Sequence, residues 1–454
     1  MRHVVVMTTT SSVGLVSVFF VDALNLFYIS LLGEKELAAA IGYASTLLFF
    51  SVSVSIGMTI AASALVARAI GAGEDAKARS ITTTTTLYIV AALCLFAFAL
   101  FPLRSVLLES LGASGETLDM AVHFSGIVIP SIPLLGLAMA SGALLRSKGD
   151  ARRAMYVTLS GAIAALFLDP LLIFGLDLGI TGAAIATVLI RIIIVFVGFH
   201  GVHVIHRMLG RPRMHEFASY LKPFFVIAFP AIITQLATPV GNAYVTFSIA
   251  EFGDDAVAGW AIVGRLVPVA FGVVFALSGA VGPILGQNYG AKLYDRVYGG
   301  MRDALLFSFL FCVAVWVLLA ITNQWIVWLF SATGDAADLI RSFCFFVAGS
   351  FIFTAALFVS NAAFNNLGRP FYATMLNWGR ATLGTIPFVY VGKEWGADGI
   401  LIAWGLGGVF FGIMGGIGAL NHIRKLPQID CEDEQPPHIP PSANSPFTSG
   451  KGAS

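Results

Sequence analysis

The residues that could do chemistry in this chain are charged side chains set in stretches that are otherwise apolar. Asp22 stands in VDALNLFYISLLG with Asn25 one helical turn later, and Asp169 stands in LFLDPLLIFG. Thr187 and Arg191 fall four residues apart in TGAAIATVLIR, on one helical face. Arg265 and Arg380 each sit about ten residues into an apolar run of the second half. A charge in hydrocarbon costs ~3 kcal/mol or more, so it faces a partner or a water-filled cavity. Burial raises a carboxylate's pKa and a neighbouring cation lowers it, so an acid whose surroundings alternate can load and release a proton. Asp22 and Asp169 are the only carboxylates well inside the apolar runs, which makes them the candidate carriers. At ~1.5 Å rise per residue Arg191 lies at a depth close to that of Asp22. It is therefore the candidate charge partner of either acid, as a fixed salt bridge or as a pair that breaks on protonation.

The elements that must position these groups are membrane helices. Of 454 residues 57% are hydrophobic and 11% charged, which no soluble domain matches. Apolar windows of about 20 residues recur from end to end, each able to cross ~30 Å of hydrocarbon. Twelve spans are predicted, at about 5–32, 37–67, 79–102, 118–145, 152–175, 180–206, 222–252, 256–288, 298–323, 336–366, 370–391 and 396–422. The fold class is an all-α polytopic membrane protein. Pro130, Pro133, Pro170, Pro230, Pro239, Pro268 and Pro387 fall inside spans, and each frees a carbonyl that needs another partner. Eighteen Lys and Arg lie on the side of the N-terminus against three (Lys35, Arg104, Lys393) on the other, which predicts cytoplasmic termini. Trp260, Trp325, Trp328 and Trp395 are expected in an aromatic belt at the opposite face. The net charge of +1 implies no nucleic-acid partner.

The two halves repeat. GEKELAAAIG at 33 aligns with GDDAVAGWAI at 253, GAGEDAKAR at 71 with GAKLYDRVY at 290, LRSKGDARR at 145 with FNNLGRPFY at 364, and LDLGITGAAIAT at 176 with KEWGADGILIAW at 393. Six spans per half make the repeats parallel, related by an axis along the membrane normal. The predicted units are a six-helix bundle over 1–206, a basic linker over 207–221, a second bundle over 222–425 and a disordered tail over 426–454. The repeat is symmetric in shape and not in chemistry. Asp22 aligns with Asn242 and Asp169 with Ile386, so the cavity candidates of the second half are Asn242, Arg265 and Arg380.

With its first hairpin ending LLGEKELAAAIG, the stretch VARAIGAGE, the block LDPLLIFGLDLGITGAAIAT and the duplicated layout, the chain resembles the multidrug and toxic compound extrusion (MATE) transporters over residues 5–425. It is most similar to the branch that keeps its cation-binding acids in the N-terminal half. The resemblance implies a V-shaped pair of six-helix bundles that exports organic compounds by proton or sodium antiport. It also implies a monomer spanning the cell membrane, a bacterial inner membrane. The family's first helix reads N-x-x-D with the Asp eight residues before the closing glycine. Here Asn25 holds that place before Gly33 and Asp22 holds the Asn position, so the pair is swapped. Asp169 matches the family acid, Thr187 a threonine of the same site, and Ala165 replaces an expected Asn. The loss of that amide favours protons over sodium as the coupling ion. The acids of the sodium-coupled branch fall on Thr238 and Thr354.

The expected function is thus a cation-coupled exporter of small organic compounds, with Asp22, Asn25, Asp169 and Thr187 in coupling. Three arginines against two acids leave zwitterionic or anionic substrates open. A lipid-linked saccharide flippase of the same superfamily shape is the alternative, and an intramembrane enzyme a remote one. HExxH, GxxxxGK[ST] and GxSxG are all absent, so no cofactor or metal is expected.

Overall fold

The structure, a computed structural model, describes residues 4–14, 16–17, 35–211 and 214–433. Asp22 and Asn25 lie outside the described residues. The described residues form α1 (Val4–Gly14), α2 (Lys35–Gly71), α3 (Asp75–Ser110), α4 (Gly115–Ser147), α5 (Ala151–Gly175), α6 (Gly179–Ile205), α7 (Met214–Ala250), α8 (Asp254–Gly290), α9 (Tyr294–Leu329), α10 (Gly334–Asn366), α11 in two pieces (Pro370–Ala381 and Ile386–Gly392) and α12 (Gly396–Asp433), with no strand among them. The helices α2 to α12 match eleven of the twelve predicted spans, and α1 covers the start of the first, whose residues 18–32 lie outside the described ones. α7 begins inside the stretch read as linker, and α12 runs past Leu426 to Asp433, across Pro427.

Proline and glycine shape the helices in different ways. α4 tightens to a 3₁₀ turn at Ile129–Ser131, which contains Pro130 and precedes Pro133, and α5 widens to a π turn at Leu171–Gly175 after Pro170. α11 breaks just before Pro387. α7 and α8 stay α-helical across their prolines. The turn between α11 and α12 needs Gly396, at φ +79, a region closed to most side chains.

Each half packs around its own core, and each half's first helix crosses to the other. The core of the first half gathers Leu47, Met58, Ile89, Leu93 and Ile129, and takes in Phe224 and Ile227 from α7. The core of the second half gathers Leu277, Leu285, Met301 and Phe364, and takes in Val4 and Met7 from α1. Outward faces carry Phe98, Phe196, Ile321 and Trp328, each about three-quarters exposed. So much bare apolar surface is stable only in contact with lipid. Trp325, Trp328 and Trp395 are exposed as a belt requires. Trp260 is not in the belt. It is buried, donates to the Thr246 hydroxyl at 2.8 Å and meets Trp404 edge-on, because its face of α8 points into the core.

Candidate functional site

Asp169 is buried, 3% exposed, on the last turn of α5 before the π turn that follows Pro170. It stands on the α5–α6 hairpin, whose backbones are in near contact. A Cβ on Gly182 would lie 2.5 Å from the Leu172 carbonyl, and one on Gly161 would lie 2.4 Å from Ile194. This pairing sets Asp169 level with Ile185 and Ala186 of α6, within one turn of Thr187. The Thr187 hydroxyl donates to the Ala183 carbonyl at 3.0 Å, which leaves its lone pairs as acceptors.

Arg191 is not the partner of Asp169. Its Nη1 donates to the Ser131 hydroxyl at 2.7 Å and to the Val128 carbonyl at 3.3 Å, and it makes no ion pair among the described residues. It also stands roughly 9 Å further along α6 than the level of Asp169. The cause is the kink in α4. Pro133 has no N–H for the Ile129 carbonyl, so the Ile132 N–H bonds there instead, three residues back. That shift leaves the Val128 carbonyl without its ordinary donor. The Ser131 hydroxyl, at 2.8 Å, and Arg191 fill the vacancy.

In the second half Arg380 is 8% exposed on α11, and its Nη2 donates to the Thr238 hydroxyl of α7 at 3.0 Å. Its Nε has no hydrogen-bond partner, and no acid pairs with it among the described residues. Further polar contacts tie α11 to α7 and α10 nearby. The Thr374 hydroxyl donates to the Pro230 carbonyl at 2.9 Å, the Trp378 indole to the Ile233 carbonyl at 3.0 Å, and Asn377 to Asn361 of α10 at 2.9 Å. This network was not anticipated from sequence, although Thr238 and Thr354 had been marked there as neutral. Asn242 is half-buried on α7. Arg265 is exposed. It lies on the same stripe of α8 as Gly279 and Gly286, at seven-residue spacing, and these meet Arg146 and Ala67 of the first half. Arg265 therefore falls on the side of α8 that meets the first half two and three heptads further on.

Other polar groups in the helices have local partners. His206 Nε2 donates to the Asp150 carboxylate at 2.8 Å, and Asp150 also takes the Arg153 N–H at 3.0 Å. No metal-binding group of His, Cys, Asp or Glu occurs among the described residues. Thr82, Thr83, Thr85 and Thr86 donate to carbonyls of their own helix. An apolar groove of about 580 Å³ between α11 and α12, lined by Phe388, Trp395 and Leu406, opens toward lipid and holds no polar chemistry.

Among the described residues, the hydrogen bonds that join the lobes link the ends of α2 and α8 to those of α10 and α4 on the basic side, and Ser80 and Tyr88 of α3 to Glu216 and Phe217 at the start of α7. Two pseudo-equivalent lobes of membrane helices, sealed at one face and carrying buried ionisable groups, are the architecture of a carrier. The MatE family profile matches residues 10–171 and again 230–391, an offset of 220 at both ends (230 − 10 and 391 − 171). The chain belongs to the multidrug and toxic compound extrusion family, and is a transporter, not an enzyme. A FAD transporter of Shewanella oneidensis is 28% identical over 422 residues, covering 90% of this chain and 91% of that one. The multidrug export protein MepA of Staphylococcus aureus is 25% identical over 290 residues, 62% of each chain. Among solved structures, a MOP superfamily transporter from Pyrococcus furiosus, described as having a binding pocket of reverse polarity, superposes with a TM-score of 0.87 at 19% identity. That match covers 94% of this chain and 96% of the other.

Proposed function

We propose that this transporter exports anionic organic compounds, flavin nucleotides among them, in exchange for protons. Arg380 carries the reading. A guanidinium 8% exposed, with one hydroxyl partner and an idle Nε, calls for an anion to complete it. Arg265, on the side of α8 that meets the first half, adds a second cation on the substrate's path. The FAD transporter relative supports the same chemistry, since FAD carries a diphosphate. In the first lobe Asp169, with Asp22, Asn25 and Thr187, loads the proton, and the two lobes alternate access to the site between them. The eighteen basic residues support cytoplasmic termini, and we propose a monomer in a bacterial inner membrane.

The experiment is uptake into proteoliposomes under an imposed pH gradient, with FAD, FMN, riboflavin and a lipophilic cation compared. FAD and FMN should accumulate and should compete with each other. Accumulation of the cation alone would reject the anionic reading and leave a multidrug-type exporter.

A further inference from the structure

The seal on the basic side is built twice over by the internal repeat. Arg68 at the end of α2 donates through Nε to the Asn366 carbonyl at the end of α10, at 2.8 Å, and more weakly to the Asn365 carbonyl. Gln287 at the end of α8 donates through Nε2 to the Ser147 carbonyl at the end of α4, at 2.6 Å. Arg68 and Gln287 are 219 residues apart, and so are Ser147 and Asn366. The two bonds are therefore one latch and its pseudo-twofold copy. Each ties a donor from one lobe to a terminal carbonyl that its own helix leaves unpaired.

The backbones obey the same symmetry. A Cβ on Gly71 would lie 1.9 Å from the Gln287 carbonyl, and one on Gly290 would lie 2.0 Å from the Arg68 carbonyl. These glycines too are 219 residues apart. So are Ala67 and Gly286, and a Cβ on Gly286 would come within 3.1 Å of the Ala67 methyl, which places the axis between them. None of these glycines has a positive φ, so each is required by close approach and not by its own conformation. Beside the crossing, Arg146 Nε, Asn365 Oδ1 and Asn366 Oδ1 are buried without partners.

We infer that Arg68 and Gln287 are paired gating residues whose latches hold the lobes shut on the basic side, with Gly71 and Gly290 permitting the contact. The orphaned polar atoms oppose that closure, because separation of the lobes would hydrate them. A seal held by two latches and strained by three orphans can be released within a transport cycle. The two latches act on one equilibrium, so removing either shifts the population in the same direction.

Spin labels at Ala76→Cys and Asp295→Cys, themselves 219 residues apart on the exposed rim, report the separation in a background with the four native cysteines replaced. The parent protein should give a narrow short distance. Gln287→Ala and Arg68→Ala should each add a longer population, and Gly71→Ala and Gly290→Ala should convert most of the sample to it. Helicity by circular dichroism shows which variants are folded, and Gln287→Ala, the least disruptive, decides if a glycine variant is not. Unchanged distances in folded Gln287→Ala and Arg68→Ala would overturn the latches, whatever the glycine variants show. The readout needs neither substrate nor coupling ion, so a failed uptake assay would leave it standing.

Discussion

Arg191 donates to the hydroxyl of Ser131 and to the carbonyl that the α4 kink leaves open, so among the described residues this half-buried cation serves α4 and no carboxylate. It is a strut between α6 and α4. Arg191→Gln and Ser131→Ala should each cost about 1–3 kcal/mol of stability, as expected for a hydrogen bond to a charged group or a buried orphan. The pH dependence of transport should stay where it is. Thermal melts of both variants, beside efflux measured against pH, check this. A shifted pH optimum with an unchanged melt would restore a coupling role for Arg191.

Arg380 should set the charge of the substrate. Arg380→Gln should weaken binding of an anionic flavin by about 10-fold or more, the equivalent of one charge-assisted hydrogen bond. Riboflavin, which lacks phosphate, should be little affected, and Arg380→Lys should recover part of the loss. Quenching of tryptophan fluorescence in the purified protein measures all three. Equal losses for FAD and riboflavin would show that Arg380 only supports the α7–α11 contact.

The swapped first-helix pair gives a double-mutant test. If Asp22 and Asn25 act as one unit, Asp22→Asn with Asn25→Asp should retain more gradient-driven transport than either single change. Strictly additive losses would make the two positions independent.

Asp150 clamps the α4–α5 connection. Burial alone would raise its carboxyl, but hydrogen bonds from Arg153 and His206 and the charge of Arg153 outweigh that and hold it below the ordinary carboxylate value. A depressed pKa stabilises the fold above the unfolded value, ~3.9, and that stability is lost as pH falls through the lower folded value. Asp150→Ala also removes the side chain that caps α5, and should cost about 1–2 kcal/mol at neutral pH. The difference between variant and parent melts should narrow toward acid.

The spans were legible because apolar runs of helix length have few alternatives, and the repeat was legible because its landmarks sit at turns. Those landmarks, the blocks at 71, 145, 290 and 364, were read as symmetry alone. They prove to flank the seal, a role that depends on which residues of two crossing helices face each other. The partner of Arg191 was illegible for a similar reason. Spacing gave its depth, but its direction follows from a carbonyl released two helices away by Pro133. Trp260 was misplaced because distance from a helix end says nothing about which face it occupies.

The most direct measurement of coupling compares the parent with Asp169→Asn in proteoliposomes under opposed proton and sodium gradients. Asp169 is buried in the first lobe, where a proton must be carried if the proposed exchange holds. The parent should accumulate substrate against a pH gradient and ignore sodium. Folded Asp169→Asn should still bind substrate yet accumulate none. Full gradient-driven accumulation by Asp169→Asn would contradict the account.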